Sequence, residues 1–167
     1  MRVWVVDTSP LIFLAKLDRL DLLRREAERV VAPPVVLSEL RGRPDEAFQK
    51  IEEALGGWLE VEQVQGRGMI PVLLAELDPG EAEVVALAQE LGAERVVMDD
   101  LDARRFARRV GLVPVGTLGL LLAARLRGEI PSLRNEIQRL RDEGFRAGEA
   151  LLEEVLKAAG EWERGGS

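Results

Sequence analysis

Short runs of β-branched residues alternate along the chain with longer stretches of helical periodicity. This alternation is typical of βαβ units around a parallel sheet. The predicted strands are Arg2–Val6, Arg29–Val31, Trp58–Val64, Arg95–Met98 and Val113–Val115. The first and fourth are nearly all apolar, so we expect both of their faces to be buried, whereas Trp58–Val64 alternates and predicts an edge strand.

Helical periodicity fills the stretches between these strands, and proline or glycine stands at nearly every junction. The predicted helices are Pro10–Leu17, Asp21–Glu28, Val35–Arg41, Asp45–Leu55, Glu81–Leu91, Ala103–Val110, Leu118–Arg127, Leu133–Glu143 and Glu149–Ala159. Gln65–Pro71 is interpreted as a linker. The prediction is an α/β three-layer sandwich with a central parallel sheet of roughly five strands. We expect one domain over 1–167, with 131–160 as terminal helices whose apolar faces belong to the core.

The length and composition restrict the chemistry that the protein can perform. A chain of 167 residues with 47% hydrophobic content fits one domain with a proper core. No apolar run is long enough to cross a bilayer or to form a signal-peptide core, so we expect a soluble cytoplasmic protein. Cysteine and histidine are both absent from the sequence, which excludes thiol nucleophiles, imidazole bases and Cys/His zinc sites.

The formal net charge of −7 argues against a simple basic clamp for nucleic acid. Acids outnumber bases over residues 1–100, but over 101–146 arginines outnumber acids by about two to one. This asymmetry suits an anionic substrate beside a cation-filled acidic pocket, and a solvated helix surface would look similar. The same two interpretations apply to the stripe formed by Arg104, Arg105, Arg108 and Arg109, which would either follow phosphates or pair with surface acids.

Carboxylates follow two strands of the predicted sheet at the point where each strand ends. Asp7 comes directly after the first strand, and Asp99 and Asp100 follow the fourth. Ligands of open parallel sheets bind beyond the carboxyl ends of strands where the strand order reverses, so the acids converge if these strands are neighbours. A carboxylate cluster without histidine or cysteine favours Mg²⁺ or Mn²⁺. The corresponding chemistry is metal-assisted attack of water on a phosphodiester.

Helix capping offers a simpler explanation for some of these acids. Asp7 could cap the helix that opens at Pro10, but Thr8 or Ser9 can do so alone, which leaves a costly buried acid that favours function. After the fourth strand, capping explains one of three acids. These three acids are Asp99, Asp100 and Asp102. We expect at least one of them to be a metal ligand, and Asp100 is the first choice.

Two glutamates on helices have stronger structural explanations. Glu39 would ordinarily be a solvated helix residue, but its place four residues after Val35 and beside Leu40 predicts that it lies near the core. Glu81 is explained by a capping box with Asp78 at the N-cap and Pro79 at the first helical position.

Other signals are too weak to indicate a different class of protein. The glycines of the segment 115–119 and of 66–68 lack the full dinucleotide-binding pattern. A phosphoryl-transfer enzyme would want a second aspartate at position 9, where this chain has Ser9.

Five segments in a fixed order carry a family resemblance. They are VVDTSPLIFLAKLDRLDLL, VAPPVVLSELRG, LDPGEAEVVALAQELGA, VVMDDLDARRFARRVGL and VGTLGLLLAARLRGEIPSLRNEIQRLRDEGFR. Together they resemble the PIN-domain superfamily, in particular the bacterial and archaeal branch related to the ribonuclease toxins of toxin–antitoxin pairs. The resemblance implies a compact α/β sandwich with an acidic cluster at the strand ends and Mg²⁺- or Mn²⁺-dependent cleavage of RNA.

The resemblance also implies roles for individual residues. The family's four acids fall on Asp7, Glu39, Glu81 and Asp100, with Asp99 or Asp102 as a further metal ligand, and its hydroxyl neighbour falls on Thr8 or Ser9. We expect substrate contacts from Thr8, Ser9, Arg104, Arg105 and Arg108. Because clustered acids repel one another, one should hold a proton at neutral pH without metal, so metal binding and activity should rise with pH.

Partners and rival functions complete the expectations. The resemblance implies an RNA substrate, a small antitoxin protein and a homodimer. The first rival is a non-catalytic PIN-like module that binds nucleic acid or protein. The second is a metal-dependent phosphatase of another fold.

Overall fold

Five short parallel strands form the sheet of the computed structural model, which describes residues 1–42 and 45–163. The strands are β1 (Val3–Val6), β2 (Arg29–Ala32), β3 (Leu59–Val61), β4 (Arg95–Val97) and β5 (Pro114–Val115), in the order β3-β2-β1-β4-β5. The α/β prediction is confirmed, with β3 at an edge. The predicted domain of 1–167 includes residues 43–44 and 164–167, which lie outside the described residues.

The strand order reverses between β1 and β4. The chain passes from β1 to β2 and β3 on one side of the sheet and then crosses to β4 and β5 on the other. Val5 pairs with Val31 of β2 and with Val96 of β4, and beyond β1 the Asp7 N–H donates to the Val97 carbonyl at 2.9 Å. The first and fourth predicted strands are therefore neighbours, and the acids that follow them emerge at the same edge.

Helices cover both faces of this sheet. They are α1 (Thr8–Lys16), α2 (Asp21–Glu26), α3 (Pro34–Arg41), α4 (Glu46–Leu55), α5 (Ile70–Leu73), α6 (Pro79–Leu91), α7 (Leu101–Arg109), α8 (Thr117–Leu126), α9 (Leu133–Asp142) and α10 (Glu149–Ala158). All four residues of β1 are buried, as predicted for a strand covered on both faces. Leu133, Ile137, Leu140 and Leu152 are buried as well, which confirms the terminal helices as core.

The largest departures from the predicted elements lie between β2 and α6. The predicted linker Gln65–Pro71 is wrong, because it contains a 3-10 turn at Arg67–Met69 and the start of α5. α5 has only four residues, which is too short for helical periodicity to be visible in the sequence. The one local signal for it is Pro71, because proline suits the first turn of a helix. The predicted strand Trp58–Val64 shrinks to β3 because its partner β2 ends at Ala32, before two prolines that have no N–H to donate.

No helix in the described part of the chain is both long and apolar enough to cross a bilayer.

Glu161 connects the end of the described chain to the start of α9. Its carboxylate accepts hydrogen bonds from the Ser132 hydroxyl at 2.7 Å and the Leu133 N–H at 2.6 Å, and it pairs with Arg125 at 3.1 Å. Because hydrogen bonds to charged groups contribute about 1.5–3 kcal/mol each, Glu161→Ala should lower the free energy of unfolding by roughly 2–3 kcal/mol. Urea unfolding measures this, with exposed Glu154→Ala as the control; an equal loss in both variants would contradict the prediction.

Candidate active site

An open cleft of about 850 Å³ lies beyond the carboxyl ends of β1 and β4. Seven carboxylates line it, one of which, Glu143, lies at the end of α9. The other six belong to α3, to the start of α6 and to the ends of β1 and β4. They are Asp7, Glu39, Asp78, Glu81, Asp99 and Asp100. The structure therefore brings together five of the six acids predicted from the sequence and adds Asp78, which was not predicted.

Asp7 is the buried acid of the cleft. It is 9% exposed and caps α1, with its Oδ1 accepting from the Thr8 N–H at 2.8 Å. The prediction that Thr8 or Ser9 forms this cap is wrong, because the helix begins two residues earlier than expected. Burial, and then the negative charges of neighbouring acids, raises the pKa of Asp7 to about 7 against the opposing Thr8 hydrogen bond. The Oδ2 atom accepts no hydrogen bond from the described residues, so this oxygen remains open for a cation.

Glu39 reaches the cleft from α3 without being part of the core. The prediction that it lies near the apolar face is wrong: Glu39 is exposed, and the buried face is formed by Val36, Leu37 and Leu40. Its Oε2 accepts from the Thr8 hydroxyl at 2.7 Å. A Cβ at Gly80 would lie 2.6 Å from the Glu39 Oε1, so the glycine leaves the space that this carboxylate fills. Glu39 is directed to the cleft because α3 begins directly after the carboxyl end of β2.

The predicted capping box at the start of α6 is confirmed. The Glu81 N–H donates to the Asp78 carboxylate at 2.8 Å, and the Asp78 N–H donates to Glu81 at 3.2 Å. Both acids nevertheless line the cleft. Partial burial, together with the charges of Asp78, Asp100 and Glu39, raises the pKa of Glu81, and the hydrogen bond from the Asp78 N–H opposes the shift. Capping and a position in the cleft are thus compatible, and the capping signal itself could have identified Asp78.

The three acids after β4 have three different positions. Asp100 caps α7, accepting from the Ala103 N–H at 2.8 Å, and also lines the cleft. Asp99 accepts from the Thr117 N–H at 2.7 Å, the Thr117 hydroxyl at 2.8 Å and the Ser9 hydroxyl at 3.2 Å. Asp102 lies outside the cleft, 90% exposed and 3.4 Å from Arg105. The predicted metal ligand Asp102 is therefore not brought to the site.

The arginine stripe of α7 divides between two places. Arg105 and Arg108 line a separate groove with Phe106 and Glu76, so the prediction that they contact substrate beside the acids is not supported by their position. The buried residues Ala103 and Ala107 determine the inward face of α7, which turns these two arginines to solvent. Arg104 is half-buried near Asp99.

Sequence reasoning missed the basic and aromatic side of the cleft. Lys16 from α1 and Arg146 from the segment after α9 line it, with Lys16 3.6 Å from Glu143. Phe13 and Phe145 meet edge to face beside them, with ring centroids 5.1 Å apart. No motif marks Arg146 in the sequence, because only the packing of α9 against the rest of the fold brings it here.

The donor chemistry of the cleft fits a hard divalent cation. Its ligands are carboxylate oxygens, which Mg²⁺ and Mn²⁺ prefer. In the described part of the chain no three acids stand close enough together to hold a metal ion as the side chains lie. Glu39, Glu81 and Asp100 each accept a hydrogen bond from a neighbour. A bound cation would have to draw these side chains toward the open oxygen of Asp7.

Comparison with known proteins gives one family. A search of curated proteins finds no match. A family model described as a PIN domain matches residues 3–161, from β1 to beyond α10. PIN domains are in general nuclease-type modules. Because the match spans nearly all of the sequence, the chain belongs to the PIN-domain family.

Proposed function

We propose that the protein is a ribonuclease that uses Mg²⁺ or Mn²⁺ to hydrolyse RNA phosphodiesters. The observation that carries this proposal is the buried Asp7, which lines an open cleft with other carboxylates and whose Oδ2 accepts no hydrogen bond from the described residues. A buried, unpaired acid is costly unless a cation offsets its charge. A purely structural cap would need neither the burial nor the accompanying acids.

Asp7 and Asp100 would hold the metal, and Glu39 and Glu81 would complete the site directly or through water. A divalent cation, when bound, lowers the pKa of its water and neutralises charge on the scissile phosphate. The chain's own residues position these ligands: the Thr8 hydroxyl holds Glu39, and the capping box holds Glu81. Thr8 and Ser9 both line the cleft. Their hydroxyls donate to Glu39 and Asp99, so a contact with the substrate would use their remaining acceptor lone pairs or exchange these hydrogen bonds.

Calorimetric titration with Mn²⁺ tests the metal site before the RNA is known. The wild type should bind Mn²⁺, and Asp7→Asn and Asp100→Asn should each abolish binding. Asp102→Asn is the matched control, because the same substitution is made two residues from the cap Asp100 but outside the cleft. An absence of binding in the wild type would reject the nuclease proposal.

The non-catalytic module remains a second candidate because of one observation. Glu39, Glu81 and Asp100 are already engaged by neighbouring donors, as they would be in a protein whose acids serve only the fold. A non-catalytic module would retain RNA or protein binding without Mn²⁺ affinity. A phosphatase would hydrolyse a small phosphomonoester such as p-nitrophenyl phosphate in preference to single-stranded RNA.

Substitution of Gly80 tests whether Glu39 is part of the metal site. In Gly80→Ala the new methyl group would displace the Glu39 carboxylate, while the helical backbone tolerates alanine. We expect Mn²⁺ affinity to fall about tenfold, as for other residues that orient metal ligands. Gly68→Ala, where a Cβ meets nothing within 4 Å, is the control. An unchanged affinity in Gly80→Ala would place Glu39 outside the metal site.

We also propose that the ribonuclease acts in the cytoplasm as the toxin of a toxin–antitoxin pair, with a small antitoxin partner and a homodimeric state. The support is the resemblance to toxin ribonucleases. Growth arrest on expression of the wild type, relieved in Asp7→Asn, would support the toxin role, and light scattering measures the mass in solution. Unimpaired growth would contradict the toxin role without affecting the nuclease proposal.

A further inference from the structure

A small pocket adjoins the acidic cleft and is lined by two arginines. Its volume is about 60 Å³, and Arg104 of α7 and Arg146 of the segment between α9 and α10 both line it. Asp99, Phe145 and Arg146 line the small pocket and the acidic cleft alike, so the two spaces are contiguous. The pocket is far smaller than the roughly 300–1,000 Å³ of a site for a whole small molecule. It has room for one compact group.

Arg104 brings an unsatisfied donor to this pocket. Its Nε is buried and has no hydrogen-bond partner among the described residues, and no carboxylate there lies within salt-bridge distance of its guanidinium. An unpaired buried donor costs about 1–3 kcal/mol. Burial, followed by the positive charge of Arg108, lowers the pKa of Arg104, against the opposing charges of Asp99 and Asp100. An anion in the pocket would offset the positive charge of this half-buried guanidinium.

Asp99 does not neutralise the two arginines. Its Oδ1 accepts from the Thr117 N–H, and its Oδ2 accepts from the hydroxyls of Thr117 and Ser9. Arg146 is exposed and forms no ion pair or hydrogen bond within 1–42 and 45–163. The pocket therefore keeps a net positive charge directly beside a cluster of acids that repels a polyanion.

We propose that Arg104 and Arg146 form a phosphate subsite that binds the RNA phosphate next to the one in the acidic cleft. The inference rests on the proposed ribonuclease function, since it explains how a strand is held where the carboxylates would otherwise repel it. Guanidinium groups are suited to this role because their donors match phosphate oxygens in pairs. Arg146 would provide an exposed contact for the strand, and Arg104 would provide a half-buried guanidinium in the lining of the pocket.

Inorganic phosphate is the probe for the subsite, observed through the arginine Nε–H resonances of the full chain without divalent metal. We expect saturable shifts of the Arg104 and Arg146 signals that share one Kd. Arg146→Ala should raise that Kd about tenfold, the loss of one hydrogen-bonded charge pair. Arg105→Ala is the matched control, because this exposed arginine lies on the same helix as Arg104 but lines the other groove. Arg146 is the primary variant, since its exposure makes substitution compatible with folding.

Either of two outcomes would overturn the subsite: the Arg104 and Arg146 signals do not saturate, or Arg146→Ala and Arg105→Ala weaken phosphate binding equally. Short RNA oligomers with a 5′-phosphate or a 5′-hydroxyl then identify the source of the phosphate. If Arg146→Ala binds both oligomers more weakly than the wild type does, the subsite binds an internal phosphodiester. If it binds only the 5′-phosphorylated oligomer more weakly, the subsite binds the phosphate at the end of the strand. Either result supports the subsite. The phosphate titration contains no divalent metal, so it tests the subsite independently of the metal site. Phosphate binding in a protein that does not bind Mn²⁺ would reject only the nuclease proposal. Mn²⁺ binding in a protein whose arginine signals do not shift with phosphate would reject only the subsite.

Discussion

Replacement of Asp7 by asparagine should abolish metal-dependent RNA cleavage and stabilise the metal-free fold above neutral pH. The catalytic loss follows from removing a charged ligand from the proposed metal site, since a catalytic metal contributes several kcal/mol to the reaction. At 1.36 kcal/mol per factor of ten, we expect kcat/KM to fall at least about a thousandfold. The amide oxygen of asparagine can still accept from the Thr8 N–H, so the cap of α1 is retained.

The stability gain has a definite pH dependence. The pKa of Asp7 is about 7 in the folded protein, compared with an ordinary value of 3.8. The folded state therefore binds this proton more tightly, and the wild-type free energy of unfolding falls as the pH rises from about 4 to about 7. Asparagine does not titrate, so the advantage of Asp7→Asn grows across this window and stays constant above it. Its size is on the order of 2–4 kcal/mol, because each pKa unit corresponds to 1.36 kcal/mol.

Urea unfolding in EDTA at pH 5 and pH 8 measures this difference, and cleavage of single-stranded RNA with Mn²⁺ measures the activity. The control is Asp102→Asn, which changes an exposed acid and should leave both the pH dependence and the activity unchanged. If Asp7→Asn were no more stable than the wild type at pH 8, the prediction would be wrong, because the ionised Asp7 carboxylate would then be well solvated in the folded protein. If Asp7→Asn still cleaved RNA, Asp7 would not be a ligand that the catalytic metal requires.

The sequence contains enough information to predict the sheet and the approximate location of the site. β1 and β4 are nearly all apolar and each is followed by acids, so adjacency at the reversal of strand order is sufficient to bring Asp7 and Asp99 together. Glu81 was explained correctly as part of a capping box. A capping pattern does not show whether the same acid also lines a cleft, as Glu81 and Asp100 do.

The remaining features depend on packing that periodicity does not record. An error of two residues in the start of α1 assigned its cap to Thr8 or Ser9 instead of Asp7. The outward direction of Arg105 on α7 follows from which alanines are buried, and their burial is a tertiary property. Arg146 reaches the cleft only through the position of α9. Long-range contacts of this kind have no local sequence signal.

A buried ion-pair network should determine how firmly α9 is held against the end of α1. Glu136 of α9 is 4% exposed and accepts from Arg19 at 2.8 Å and from Arg139 at 3.1 Å, while Arg139 also donates to the Leu17 carbonyl at 2.9 Å. Glu136→Ala would leave Arg19 and Arg139 without their shared acid. We expect the free energy of unfolding to fall by about 2–3 kcal/mol, the loss of hydrogen bonds between charged groups, because the two arginines left behind are 29% and 47% exposed and water can solvate them.

Urea unfolding of Glu136→Ala measures this loss, with exposed Gln138→Ala on the same helix as the control. The two variants should differ by about 2–3 kcal/mol, and a difference below about 1 kcal/mol would mean that water already solvates the pair. The network bears on the site as well, because α1 carries Lys16 and the chain after α9 carries Arg146. If Glu136 holds these elements together, phosphate affinity at the Arg104–Arg146 pocket should weaken in Glu136→Ala under conditions where the variant remains folded. Mn²⁺ affinity should change little, because the acids proposed as metal ligands belong to α3, α6 and the ends of β1 and β4.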